Sequence, residues 1–213
     1  VNMILDAAAM AGNAVAGFTS VRGRSHTFDA RADGYARGEA IDAITCRLKG
    51  GERASIRLMG SAVRQDGRSA SLTAPNGKAQ QGVLVVSLAD AQVEASQAAV
   101  LEAHGTGTAL GDPIEAGSLA AAVLAARDGV APLVVGGVKA NIGHAEPAAG
   151  MTGLLKLALG LQASEAMPNA QLRSLNPHVG GAMRGGDCAL LVQLGVFVAE
   201  ALIRGGVSSF GYS

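Results

Sequence analysis

The 213-residue sequence predicts a layered α/β fold, and three observations point to it. Short apolar runs of strand length alternate with longer helix-length segments along much of the chain. Apolar residues make up 49% and charged residues 16%, a balance that favours a packed core over disorder. No fixed-period repeat or low-complexity linker breaks the pattern, and the 30 glycines follow no period of three, which excludes collagen. Pattern alone leaves open which strands run parallel.

Val1–Leu5 reads as a short buried strand and Asp6–Val15 as an Ala-rich helix. His26–Gly38 is polar, with Asp29, Arg31, Asp33 and Arg37 close together, and reads as an ordered loop tied by ion pairs or hydrogen bonds. Ile41–Leu48, which contains Cys46, reads as a strand, and Lys49–Arg53 as a turn. A second unit opens with a strand over Ser55–Val63 and a turn at Gln65–Gly67. Thr73, Pro75 and Asn76 then lead into a helix over Gln80–Leu88. Val93–Glu102 holds a short helix or turn and then a strand ending at Glu102. Pro113 suits the first turn of a helix that reaches about Ala126. Leu133–Val138 is an apolar strand, and Met151–Ala163 a helix with Leu154, Leu155, Ala158, Leu159 and Ala163 near one face. Cys188–Leu194 and Arg204–Phe210 read as the last strands.

The 17 basic residues balance 17 acidic ones, so no net field draws the whole chain to nucleic acid or an anionic membrane. Trp is absent, and four Phe and two Tyr leave the core to Ala, Val, Leu and Ile. Cys46 and Cys188 stand far apart, outside any CxxC pair or metal-ligand cluster. That argues against a disulfide framework and for a reducing, cytoplasmic setting. No signal peptide is visible, and the apolar run Ala116–Ala126 is too short to span a bilayer. Val1 and Ser213 both read as truncation points.

Four stretches could carry chemistry. His104-Gly105-Thr106-Gly107-Thr108 follows a strand, where a crevice commonly opens, and its imidazole could exchange a proton there. The same residues could equally form a structural histidine in a Gly/Thr turn. The spacing is not that of a phosphate loop. Asp112-Pro113-Ile114-Glu115 reads as a helix start, with Asp112 as cap and Glu115 as its three-residue partner. Gly136–His144 brings Lys139, Asn141 and His144 together after a strand, ahead of a helix whose N-terminal dipole adds positive potential. Glu146 could pair with Lys139 and hold it; a solvated loop is the plain alternative. In Gly205–Ser213 a Gly-flanked Phe210 suits a movable gate or a core aromatic.

Taken together these stretches resemble the β-ketoacyl synthase family, in the form found in modular polyketide synthases. Val1-Asn2 is similar to the end of a GGVN strand, and residues 28–39 to FDxxADGYxRGE. Gly60-Ser61-Ala62, Gln65–Arg68 and Leu72–Gly77 resemble the polyketide-type pattern. Glu102–Glu115 resembles EAHGTGTxLGDPIE, Val138–Gly150 resembles VKxNIGHxExAAG, and Gly206–Ser213 resembles GVSSFGxS.

The resemblance implies a thiolase-like fold of two similar halves in an α/β/α/β/α arrangement. Residues 1–48 would end the first half, and residues 49–213 would form most of the second. It implies decarboxylative condensation of an acyl thioester with a malonyl-type extender, both delivered on acyl-carrier protein, in a homodimer that uses no metal or nicotinamide. His104, His144 and Lys139 fall on the family's catalytic positions. Thr106, Thr108, Asn141, Glu146 and Phe210 fall on supporting or substrate-binding ones, Phe210 as the gate and Asn141 as the residue ordering the Lys139–His144 loop.

The family's nucleophilic cysteine lies in a segment upstream of GGVN, so neither Cys46 nor Cys188 matches it, and the chain alone is expected to be inactive. The Lys49–Arg53 linker is short, and Arg184–Ile203 lacks the usual PWP region. Two other readings compete with a condensing enzyme. A non-elongating homologue that binds acyl chains or pairs with another protein need not retain both histidines. A thiolase acting on coenzyme A esters would pair one histidine with a second cysteine.

Overall fold

The computed structural model describes residues 1–47, 56–69, 74–197 and 202–211. Its centre is a pair of short strands with both faces covered. β1 (Ala98–Glu102) and β2 (Leu133–Gly136) lie parallel, with Val100 opposite Val134 and Glu102 opposite Gly136. Leu101, Leu133 and Val135 enter one apolar cluster with Leu119, Val123, Val179 and Phe28. Val100, Glu102, Val134 and Gly136 instead border Lys156 and Leu157. This period-two division requires a helical layer on each face, and parallel strands need crossover connections that supply those layers. β4 (Cys188–Ala189) and β6 (Arg204–Val207) complete the parallel sheet in the order β4-β2-β1-β6.

α2 (Gly77–Ala91), α3 (Gly111–Ala122) and α6 (Pro177–Ala182) pack together on the first face. Asn76 starts α2, because its side-chain oxygen accepts the N–H groups of Lys78 and Ala79 at 3.0 and 3.2 Å. This cap begins the helix before Gln80. α3 buries Asp112, Glu115, Ala116, Ser118 and Leu119, and tightens after Ala122 into a 3₁₀ turn over Leu124–Ala126. α5 (Ala149–Ala163) covers the second face against β1 and β6, and ends where Ser164 adopts a left-handed conformation. β3 (Glu165–Ala166) and β5 (Gly195–Val196) form a small antiparallel pair beside it.

The four expected helices, the central strands and the strand opening at Arg204 agree with the sequence pattern; the strands expected nearer the start of the chain and over Cys188–Leu194 do not. Val1–Leu5 forms no strand, and only Asn2 bridges to Ala40. Residues 41–47 are irregular and mostly exposed, Cys46 included. Asp42 is drawn instead into a 2.7 Å hydrogen bond from Thr152 on α5. Residues 56–63 run as irregular chain along the end of α2, where Ser61 N–H binds Asp90, and Leu58 and Val63 face solvent. An apolar run without a neighbouring strand edge has no ladder to join. The Cys188–Leu194 run pairs over two residues only, since Asn169 takes the Leu191 carbonyl at 2.9 Å. Leu48, residues 49–53, Ser55 and Thr73 lie outside the described residues, as do the last two residues of the Gly205–Ser213 stretch.

α1 (Ala7–Val15) is capped by Asp6, whose carboxylate accepts the Ala8 N–H at 2.9 Å, and none of its residues is buried. The polar loop that follows is the ordered one expected. Asp29, fully buried, accepts from Arg31 Nε at 2.7 Å, Arg173 N at 2.7 Å and Ser174 N at 3.0 Å. Phe28 O and Ser174 O accept from Asn176 N and Ala30 N, so residues 28–31 and 173–176 are stitched edge to edge.

Burial pushes the Asp29 carboxyl up, but the Arg31 guanidinium and the backbone donors outweigh it and hold its pKa below the usual carboxylate range. A depressed pKa stabilises the fold above the unfolded value and loses that contribution as pH falls through the folded one. The stitch should therefore persist through neutral and mildly acid pH and weaken only in strong acid. Asp29→Ala should raise amide hydrogen exchange at Arg173, Ser174 and Ala30 by about tenfold or more, a loss of at least ~1.4 kcal/mol, with β1 protection less affected. Mass-spectrometric exchange of the two proteins checks this.

Candidate functional site

Three loops leave the carboxyl ends of β1, β2 and β6 and meet above the sheet, where open parallel sheets commonly bind ligands. The β1 loop is His104–Thr108. Its backbone is held by two buried carboxylates. Glu115 accepts from His104 N at 2.7 Å and Gly105 N at 2.8 Å. Asp112 accepts from Gly107 N at 3.0 Å and from Phe28 N at 2.7 Å. Gly105 and Gly107 have φ of 49° and 79°, and a Cβ at Gly107 would lie 2.6 Å from the His26 backbone nitrogen. Only glycine satisfies both demands.

The expected capping roles of Asp112 and Glu115 are not those observed. Thr108 Oγ1 takes the Gly111 N–H at 3.1 Å, and it also lies 3.3 Å from Thr106 Oγ1. The two acids point away from the helix start because the neighbouring loops offer four N–H groups that need acceptors.

The β2 loop begins with a single helical turn, α4 (Lys139–Ile142). Lys139 is buried, and its ammonium donates to the His104 carbonyl. Glu146 does not hold it. The Glu146 carboxylate pairs with Arg37, Nε to Oε1 at 3.0 Å and Nη2 to Oε2 at 2.9 Å, and accepts from Asn13 Nδ2 at 3.4 Å. A fork of two N–H groups fits a carboxylate better than one ammonium does. Asn141 has an exposed side chain with no hydrogen bond among the described residues, and the turn is ordered by backbone bonds such as Asn141 N to Val138 O at 2.9 Å. His144 is buried, and its backbone exchanges hydrogen bonds with Ala36 O at 2.7 Å and Gly38 N at 2.9 Å.

His104 and His144 meet edge to face with ring centroids 5.4 Å apart. Tyr35 flanks His144 at 4.8 Å, and Phe210, from the β6 loop, flanks His104 at 5.4 Å. Each imidazole accepts a backbone N–H on Nδ1: His104 from Phe210 at 3.2 Å, His144 from Glu146 at 3.0 Å. In a neutral ring this places the proton on Nε2. Burial, followed by the nearby Lys139 charge, pushes His104 well below its ordinary range and His144 down to about 3. Burial also lowers Lys139, against the opposing pull of Glu115, Glu102 and Asp112, and it raises Asp112 to about 7. The arrangement thus offers two uncharged N–H donors beside a buried cation, suited to an oxygen on which negative charge develops.

All the expected site residues except Asn141 take part in this assembly. Arg37, Tyr35, Asp112, Glu115 and Glu102 are the contributors that sequence reasoning did not assign to the site. The polar run His26–Gly38 carried a signal of order, but the partner of its Arg37 is more than a hundred positions away. Neither cysteine is near. Cys46 is exposed, and Cys188 lies on β4 with its sulfur 3.7 Å from that of Met183. Burial and then Asp187 push the Cys188 thiol up, away from a reactive thiolate. Among the described residues no group of three His, Cys, Asp or Glu could hold a metal ion, and no helix is long and apolar enough to cross a membrane.

Residues 56–173 match the family described as β-ketoacyl synthase, C-terminal domain. A phenolphthiocerol/phthiocerol polyketide synthase chain of Mycobacterium tuberculosis (strain CDC 1551 / Oshkosh) is 41% identical over 84% of this chain and 10% of its own length. The highly reducing polyketide synthase cm3B of Cordyceps militaris is 39% identical over 100% of this chain and 8% of its own length. Among solved structures, the ketosynthase from module 6 of the bacillaene synthase of Bacillus subtilis 168 superposes with a TM-score of 0.90 at 28% identity. It is matched over 100% of this chain and 39% of its own. The chain thus spans about a tenth of the curated relatives and 39% of a solved ketosynthase, and the fold is the thiolase-like one of those domains. On sequence and fold together, the chain belongs to the β-ketoacyl synthase family.

Proposed function

We propose that this chain is the C-terminal part of a β-ketoacyl-acyl-carrier-protein synthase of polyketide type. Residues 1–48 belong to its first half and residues 49–213 to its second. The observation that carries the reading is the pair of imidazoles 5.4 Å apart, each accepting a backbone N–H on Nδ1, which leaves Nε2 as the donor in the neutral ring. A malonyl-type extender on acyl-carrier protein presents its thioester oxygen to His104 and His144. As CO₂ leaves, charge moves onto that oxygen, and the two N–H groups stabilise the enolate. Its carbon attacks an acyl thioester held on a cysteine, the C–S bond breaks, and the cysteine leaves as thiolate. The β-ketoacyl product stays on the carrier protein.

Lys139 organises charge rather than attacking, since its ammonium is held by the His104 carbonyl. Thr106 and Thr108 brace the turn, Glu146 anchors the His144 loop through Arg37, and Phe210 borders the acyl side. No resident metal or cofactor enters this chemistry. The working unit is a cytoplasmic homodimer whose partner is acyl-carrier protein, with no role for nucleic acid or membrane.

The chain supplied alone with acyl- and malonyl-carrier protein should form no β-ketoacyl product, because the site contains neither of its cysteines. Product from the chain alone, followed by mass spectrometry of the carrier protein, would refute this. In the complete synthase, His144→Ala should slow CO₂ release roughly 10²–10³-fold while cysteine acylation changes only a few-fold. An equal fall in both rates would assign His144 to cysteine activation or to structure instead.

The pH dependence has a definite sign. Both histidine pKa values lie below the ordinary one, so the donors stay neutral and decarboxylation should show no histidine titration between about pH 5 and 8. The alkaline limb should fall below that of an ordinary lysine, because Lys139 is lowered. A pH–rate profile of CO₂ release tests both limbs.

A further inference from the structure

On the opposite side of β1 and β2 from α3 lies a second buried ion pair, between Glu102 and Lys156. Glu102 Oε2 accepts from Lys156 Nζ at 2.6 Å, and both side chains are largely shielded. The other oxygen, Oε1, accepts from the N–H of Val138, the residue immediately before Lys139. The Glu102 carbonyl accepts from Ser208 N at 2.9 Å, and Ala103 N donates to Gly136 O at 2.8 Å. One residue therefore binds the exit of β2, the exit of β6 and the middle of α5, two positions before His104.

The surroundings are shaped to this pair. A Cβ at Gly136 would lie 3.0 Å from Lys156 Nζ and 3.3 Å from Glu102 Oε2. One at Gly153 would lie 3.3 Å from Glu102 Cγ and 3.2 Å from Val207 Cγ2. Glycine at both positions lets the carboxylate and the ammonium close between sheet and helix. Such a pair costs desolvation, and its partners are arranged so that Glu102 has both oxygens satisfied.

We propose that Glu102, charge-balanced by Lys156, is a positioning residue that sets the Gly137–Val138 peptide, just ahead of Lys139, and the β6 exit relative to His104. It touches neither extender nor acyl group and acts through the groups it places. The proposal rests on the assignment of His104 and His144 as donors to the extender oxygen. Glu102 also acts on Lys139 by charge. Lys139 is faced by Glu115 and Asp112 from α3, Glu102 from β1, Lys156 from α5, and the rings of His104 and His144. Glu115, Glu102 and Asp112 favour its protonated form, and Lys156 opposes it.

The test uses the complete synthase with Glu102→Gln, Lys156→Met and the double variant, beside His144→Ala as reference. Glu102→Gln should slow CO₂ release roughly 10–100-fold with cysteine acylation little changed, as expected for displacement of reacting groups by a remote substitution. Its alkaline limb should move to lower pH, because a negative neighbour of Lys139 is gone. Lys156→Met should move the same limb to higher pH. The double variant, with no unpaired buried charge, should fold as the parent does, with its limb near the parent's and its rate partly restored. If Glu102→Gln fails to fold, Lys156→Met and the double variant carry the same comparison. Limbs that coincide in the folded variants, or that move in one direction for both single variants, would overturn the proposal. Loss of CO₂ release in His144→Ala beside parental behaviour in Glu102→Gln would overturn this inference alone. Parental CO₂ release in His144→Ala would overturn the reading on which it rests.

Discussion

Two carboxylates on the first turns of α3 hold the site together. Asp112 and Glu115 are buried, and between them they accept four backbone N–H groups, from Phe28, His104, Gly105 and Gly107. A buried N–H without an acceptor costs roughly 1–3 kcal/mol, and a buried carboxylate without donors costs more. Each side of this exchange therefore requires the other. The tight His104–Thr108 turn exists because α3 presents those oxygens. The Phe28 loop is pinned to the same helix, which carries residues 26–38 to the edge of the site.

The turn in turn fixes Lys139, whose ammonium reaches the His104 carbonyl. That contact places a cation beside two imidazoles in a poorly solvated space, and both rings stay neutral as a result. A charged imidazole would bind a carboxylate or an oxyanion indiscriminately. A neutral Nε2–H donor strengthens most when charge appears in the transition state. The tautomers come from ordinary backbone geometry, the Glu146 and Phe210 amides, and need no further side chain.

A buried carboxylate that accepts backbone N–H groups and an ion pair brace the His26–Gly38 loop from opposite ends. Asp29 locks one end to residues 173–176, and Arg37 locks the other to Glu146 in the His144 loop. The Arg37 pair is mostly buried and bidentate, so it fixes orientation as well as distance. Tyr35, between the two locks, lies edge-on to His144. A segment far upstream in sequence thus forms one wall of the candidate site.

Local chemistry made much of the framework legible. Asp6 and Asn76 cap helices as their types suggest, Pro113 lies in the first turn of α3, and the apolar runs Ala98–Glu102 and Leu133–Gly136 are strands. The glycines of His104–Thr108 signal a tight turn, and family resemblance alone groups His104, Lys139, His144 and Phe210. The absence of strands over residues 1–5, 41–47 and 56–63 was not legible, because a strand exists only where a neighbouring edge accepts its hydrogen bonds. Partner choice was equally hidden. Glu146 lies seven residues from Lys139 yet binds Arg37, and Asp112 and Glu115 turn from their own helix start to a neighbouring loop. Residue types alone determine which groups can ionise, donate or bend. Which of them meet is decided by long-range packing, since buried donors and acceptors must be matched across the whole core at once.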